Sequence, residues 1–234
     1  MPPTTARPAF TQLLALAWRL AHQGAGLLLL LALALVGLPD VLLALLLPDA
    51  EWATATITLR ALLAMLAVAV ASHALLAAAF GRRLPLMARI SAGLRAATPA
   101  VQASLLAGAA VMLALTIHLF SRHGTFAGWA LDVLLLAAGL WGAVLMLPVV
   151  PVAVVEGLGP RAAFARAMAL TDGVRNRLVG LVLFCLAWFL PFWLLAATAP
   201  PGWTALLAAA LRNMVAMALL AVVPTAVYLA AHDR

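Results

Sequence analysis

Long apolar stretches alternate with short polar breaks along the whole chain. A helix needs about 20 mostly apolar residues to cross a hydrocarbon core of roughly 30 Å. Six stretches meet that length, at about 24–47, 53–80, 101–120, 125–152, 178–200 and 203–230. The breaks Pro48-Asp49-Ala50-Glu51, Ser121-Arg122-His123-Gly124 and Ala199-Pro200-Pro201-Gly202 are dense in turn formers, so the stretches pair into three hairpins. The longer connections, 81–100 and 153–177, are basic. The pattern predicts an all-α membrane protein of six transmembrane helices, forming one integral membrane domain over 1–234. The first apolar run follows a lead-in of 23 residues and has no small-residue cleavage site, so it reads as a membrane helix rather than a signal peptide.

A weaker, amphipathic pattern precedes each hairpin. Pro8 to Gln23 places Phe10, Leu14, Ala17, Trp18 and Ala21 on one face, and Pro85 to Ala97 does the same with Met87, Ile90, Leu94 and Ala97. Pro160 to Asp172 gathers Phe164, Met168 and Thr171, with Arg161, Arg166 and Asp172 opposite. Apolar residues at such spacings mark one helical face. Gly24 and Gly173 then read as helix stops, giving three cytoplasmic elbow helices at the membrane surface. The elbows recur at a fixed interval: Phe10 to Met87 and Met87 to Phe164 are each 77 positions, and so is Trp52 to Trp129, with Trp129 to Trp203 at 74. Three parallel repeats of about 77 residues result, at about 1–79, 80–156 and 157–234. Trp52, Trp129 and Trp203 form a belt at the opposite interface.

Composition sharpens the location. Of the 234 residues, 67% are hydrophobic and 9% charged, against roughly 25% charged in an average soluble domain. All 14 basic residues are Arg. Eleven of them (Arg7, Arg19, Arg82, Arg83, Arg89, Arg95, Arg161, Arg166, Arg175, Arg177 and Arg234) fall on the terminal and long-loop side. The positive-inside rule therefore predicts a multi-pass protein of the bacterial inner membrane with both termini cytoplasmic. Arg89, Arg95, Arg161, Arg175 and Arg177 are expected to meet anionic lipid headgroups there. The net charge of +7 describes a membrane face, not a nucleic-acid site. With Cys185 the lone cysteine, no internal disulfide or cysteine metal cluster is possible.

The residues around the third elbow carry a resemblance. Val154-Val155-Glu156-Gly157-Leu158-Gly159-Pro160, then Ala163, Arg166 and Leu170-Thr171-Asp172-Gly173, resemble a bacterial family of six-helix membrane proteins. That family includes the YciC-like proteins and the membrane domain fused to some glycerophosphodiester phosphodiesterases. Phe80-Gly81-Arg82 and Tyr228 fit it, while Ala167, where the family often has Ser, and the closing Ala230 to Arg234 depart from it. The resemblance implies a fold and a location, with Glu156, Gly157, Gly159, Pro160, Arg166 and Gly173 as an elbow motif. It carries over no catalytic residue.

Ionisable groups inside apolar runs are the candidate site. Asp40, Arg60, Asp132 and Arg212, with Asn213 beside the last, fall in the outer half of the membrane by their distance from the outer turns. A charge at mid-helix costs about 2.5–3.5 kcal/mol on insertion scales, so such groups face inward and pair. Two readings follow: a structural network tying the helices, or a polar pocket for a lipid headgroup or small anion. If Pro39-Asp40 instead ends the first helix, Asp40 sits at the interface. Glu156 is expected to pair with Arg161, Arg166 or Arg89, below a kink at Pro148 and Pro151. His73 reads as a hydrogen-bonded interior residue, with a proton carrier as the alternative. His118 and His123, five apart, are poorly spaced for a shared metal, so neither metal nor cofactor is expected. The chain has no nucleotide-binding loop, zinc-protease helix or serine nucleophile elbow. It is therefore expected to be non-enzymatic, associating with lipids or membrane partners through its elbows. The alternative is a transporter or lipid-handling protein using the Asp/Arg cluster.

Overall fold

The computed structural model describes the backbone of residues 9–47, 53–82, 85–120 and 126–232, with side chains throughout except at 53, 106–120 and 126–127. The predicted breaks at 48–51 and 121–124 fall outside the described residues, and so do the side chains of Trp52, His118 and His123. Every element is helical: α1 (Phe10–Ala32), a π turn (Leu33–Gly37), α2 (Leu38–Leu46), α3 (Ala53–Ala79), α4 (Leu86–Phe120), α5 (Phe126–Met146), α6 (Val149–Glu156), α7 (Pro160–Thr171), α8 (Arg175–Thr198) and α9 (Trp203–His232). Among the described residues five helical stretches are long and apolar enough to cross a bilayer: Phe10–Leu46, Thr54–Ala79, Gly128–Glu156, Arg175–Thr198 and Trp203–His232. The remaining predicted crossing, at about 101–120, lies in α4, whose side chains beyond 105 are outside the description.

Two of the three elbows are not separate helices. α1 passes through Gly24 without a break and continues into the first apolar run, so Gly24 is not a stop. Its role is close packing: a Cβ there would collide with Leu75 of α3. α4 likewise runs from its amphipathic start through Pro99 to Phe120. The third segment does stand alone as α7. It is bounded by Gly157 and Gly173, both at positive φ (64° and 73°), where glycine avoids the Cβ clash that other residues meet. Pro160 opens its first turn, where a missing N–H costs nothing.

Each segment buries small residues and turns large apolar ones outward. α1 buries Leu13, Ala17 and Leu20 and leaves Trp18 exposed. α4 exposes Met87 and Leu94 and buries Ala97, Ala100 and Ala103. α7 buries Ala163, Ala167 and Thr171, while Met168 is turned outward. The reason lies in the solvent. Lipid tails are as apolar as Leu, so no hydrophobic force draws large side chains inward, and small residues mark the helix contacts instead. α3 and α4 show the limit: a Cβ on Gly93 would stand 3.0 Å from Val70 Cα.

α3 and α9 are the central helices, with 56% and 61% of their apolar windows buried, against 17% and 11% for the crossings built on α5 and α8. The main core draws on α1, α3, α4, α6, α7 and α9, including the fully buried Val70, Ala103, Val152 and Ala167. A smaller cluster of Leu13, Val144, Val174, Leu178, Leu181, Val223 and Val227 attaches α5 and α8. α5 packs on α4, α7 and α8, and thus on the rim.

Gly93→Val should lower thermal stability in detergent by about 1–3 kcal/mol, the usual cost of overpacking, because backbone rather than a flexible side chain blocks the new atoms. Gly26→Ala, where a Cβ meets nothing within 4 Å, should unfold within a degree or two of wild type, a small margin set by the few tenths of a kcal/mol typical of such surface changes. Equal loss in both variants in a melting series would contradict the close α3–α4 contact.

Candidate functional site: a polar cluster at the end of an apolar cavity

The site begins with a break in helical regularity. Pro39 has no N–H to give, and its ring would clash with the carbonyl four residues back in a regular helix. The chain accommodates it with the π turn, in which the Leu38 N–H donates to the Leu33 carbonyl five residues back. The helix therefore continues to Leu46 and does not end at Pro39. Asp40 is buried against its neighbours, at 7% exposure.

Three helices converge on Asp40. Arg60 on α3 stands with Nε 3.4 Å from Asp40 Oδ1, an ion-pair distance without hydrogen-bond alignment, and its Nη2 donates to the Asp40 backbone carbonyl at 3.2 Å. From α9, Asn213 Nδ2 donates to Asp40 Oδ2 at 2.6 Å. Arg212 extends the chain, its Nε donating to Asn213 Oδ1 at 3.1 Å. Both carboxylate oxygens thus face donors, as a buried carboxylate requires. Four of the five residues singled out in the sequence form one connected network. The fifth, Asp132 on α5, faces the same cavity as Asp40, Arg60 and Asn213.

That cavity, open to the surroundings over part of its surface, has a volume of about 1380 Å³, above the roughly 300–1,000 Å³ of ordinary ligand pockets. Asp40, Arg60 and Asn213, joined by their own contacts, form its polar end, and Asp132 also lines it. The rest of the described lining is mostly aliphatic, with Ser104, Cys185 and Phe189 among it, and reaches Val149, Val150 and Pro224. Asn213 to Pro224 is 11 positions along α9, about 16 Å at 1.5 Å per residue, close to the depth of one leaflet of a roughly 30 Å core. The walls are small residues: Ala61 and Ala64 on α3, Gly139, Gly142 and Ala143 on α5, and Ala216 on α9. Small residues normally bring membrane helices together. Here a Cβ on Gly139 or Gly142 would meet nothing within 4 Å. The sequence reading missed this space. The glycines at i and i+3 in an apolar helix were the available signal, but they look the same whether a helix closes on them or not.

A second polar junction lies near the end of α9. Of the partners expected for Glu156, the fold selects Arg166, whose Nε is 3.3 Å from both Oε1 and Oε2. The buried Tyr228 hydroxyl donates to Glu156 Oε1 at 3.4 Å, and its ring stacks on His232 at 5.5 Å. These contacts join α6, α7 and α9. Arg175 pairs with Asp172 at 3.4 Å. Arg95, Arg161 and Arg177 are exposed, and Arg89 is half-buried. His73 is half-buried, and its Nδ1, expected to be hydrogen-bonded, has no partner, nor does the neighbouring Ser72 Oγ.

Asp40→Asn keeps the shape but removes the charge that Arg60 faces, and Arg60→Gln removes the other side. Each should destabilise the protein by about 1–3 kcal/mol, less than for a sealed pair because Arg60 is one-third exposed. A double-mutant cycle read by thermal unfolding should show the two losses to be non-additive. Strict additivity would mean the pair is not coupled.

No protein-family model matches the chain, and neither a curated protein nor a solved structure matches it.

Proposed function

We propose that this chain is a non-enzymatic, multi-pass membrane protein that takes up a lipid-like amphiphile between its helices. One observation carries the reading: a cavity of about 1380 Å³ with small apolar walls and its charged and amide groups gathered at one end. Such a division matches a molecule with a polar head and hydrocarbon chains. The head meets fixed donors and acceptors at Asp40, Arg60 and Asn213, and the chains replace bilayer contacts at little cost, because lipid tails and these walls are equally apolar.

The Arg distribution supports an inner-membrane location with cytoplasmic termini. Exposed Arg95 and Arg161 suit contact with anionic headgroups at that face. Association through the elbows alone is the less favoured reading, since Arg166 and Arg175 are spent on Glu156 and Asp172 within the protein. Kinship with the YciC-like proteins and the phosphodiesterase membrane domain is part of the proposal, and it assigns no reaction.

Purification in a mild maltoside detergent followed by lipid extraction and mass spectrometry tests the uptake. The protein should retain about one lipid per chain through washing, as expected of a single site in slow exchange. Gly142→Leu and Gly139→Leu, which fill the cavity from a wall with room for the new atoms, should remain monodisperse and lose that lipid. Retention unchanged in both variants, or no retained lipid in the wild type, would refute the proposal.

A further inference from the structure

We infer that the cavity is one-sided: it takes its occupant from the leaflet opposite the elbow helix α7 and offers no way through to the elbow side. The inference rests on the amphiphile reading above. It adds where the amphiphile comes from, and that it is held rather than passed across.

The elbow end of the cavity is closed by α6. The chain leaves α5 at the turn Leu147-Pro148, where Pro148 takes φ −84° and ψ 6°, and it changes neighbours there. α5 packs on α4, α7 and α8, whereas α6 packs on α3, α4, α7 and α9. The turn thus carries α6 inward from the rim to the two central helices. Val149 and Val150 in its first turn line the cavity, and Val149, Pro151, Val152, Ala153 and Val154 are buried. Val152 and Ala153 belong to one core cluster with Ala163 and Ala167 of α7 and Ala221 of α9. Beyond them Glu156 holds Arg166 at 3.3 Å and accepts from the Tyr228 hydroxyl at 3.4 Å. The floor is packed core backed by an ion pair, and a lipid crossing it would have to displace both.

The polar groups stand at the opposite end. Asp40 lies 6 positions before the end of α2 at Leu46, and Arg60 lies 7 after the start of α3 at Ala53. Those steps correspond to about 9–11 Å at 1.5 Å per residue. On α9, Asn213 is 10 positions from Trp203 and 19 from His232, while Pro224, at the apolar end, is 8 from His232. His232 itself stands beside Phe80 at the far end of α3, with ring centroids 6.0 Å apart.

Depth therefore orders the cavity as a lipid is ordered in one leaflet only. A lipid on the side of the α2 and α3 ends points its head outward and its chains toward the elbows. It meets Asp40, Arg60 and Asn213 with its head and the aliphatic walls with its chains. A lipid from the elbow leaflet arrives inverted, with its head against Val149 and Val150, where a polar group finds no partner and is costly to bury. The order holds for a head of any charge, because depth alone sets it.

Leaflet-specific photolabelling tests the sidedness. The full chain with a C-terminal affinity tag is reconstituted at low density into phosphatidylcholine–phosphatidylglycerol vesicles. Vesicles with the tag outward are captured, so that the elbow end faces the bath. Phosphatidylcholine with a diazirine on its acyl chain is placed in the bath monolayer by cyclodextrin exchange, or left only in the lumen monolayer by exchanging it out. Leu183 and Trp193, each 50% exposed on opposite halves of α8, report which monolayer carries the label. Lumen label should mark Gly142 and Ala216 in the cavity wall at least about tenfold more than bath label, as read by mass spectrometry of the cross-linked residues. That factor corresponds to the burial of one unpaired polar group. The same vesicles should move a fluorescent phosphatidylcholine between monolayers no faster than protein-free vesicles do. Equal or stronger marking from the bath monolayer, or catalysed transfer between monolayers, would overturn one-sided access while leaving amphiphile uptake standing. If neither monolayer marks the cavity, or if Gly142→Leu is marked at Ala216 as strongly as wild type, amphiphile uptake itself fails.

Discussion

A carboxylate inside an apolar helix bundle must be given donors, and Asp40 obtains them from two other helices. Its side chain reaches Arg60 on α3 and Asn213 on α9, so the first and last helical segments are held against the third at a fixed depth. α3 and α9 are also the two most buried crossings. Satisfaction of one side chain therefore fixes the relative placement of the most buried part of the fold. The π turn before Pro39 belongs to the same device, because it carries the helix past proline and keeps Asp40 within the bundle.

The cavity depends on that arrangement. α3 and α9, joined through Asp40, supply one wall, and α5, held on α4, α7 and α8, supplies another. Between them the side chains are too small to close the space. The polar groups that hold the helices are also the groups the cavity presents at one end. Structural pairing and head recognition, posed by the sequence as alternatives, are compatible in this geometry, because Asp40 and Arg60 take part in the network and still line the cavity. At the other end the Glu156–Arg166–Tyr228 junction fixes α7 to α6 and α9.

The polar cluster was legible in the sequence because a charge in an apolar run has few places to go, so Asp40, Arg60, Arg212 and Asn213 could be grouped before any contact was known. The third elbow was legible because Gly157, Pro160 and Gly173 each carry a local backbone requirement. Gly24 was misread for an equally physical reason: glycine serves both as a helix stop and as a contact for a neighbouring helix, and local sequence does not distinguish them. On α7 the expected burial of Met168 fails while Thr171 is buried, because in lipid a large apolar side chain loses nothing by facing outward. The cavity was invisible because it depends on which small residues remain unpartnered, a property of the whole packing.

The central claim is that the Asp40 network holds open a space which a lipid fills. An experimental structure of the protein in a lipid nanodisc tests it most directly. The account predicts elongated density within the bundle, its head beside Asp40, Arg60 and Asn213 and its hydrocarbon running toward Pro224. A closed bundle, with Gly139 and Gly142 of α5 packed directly against α3 and α9 and no density between them, would contradict it.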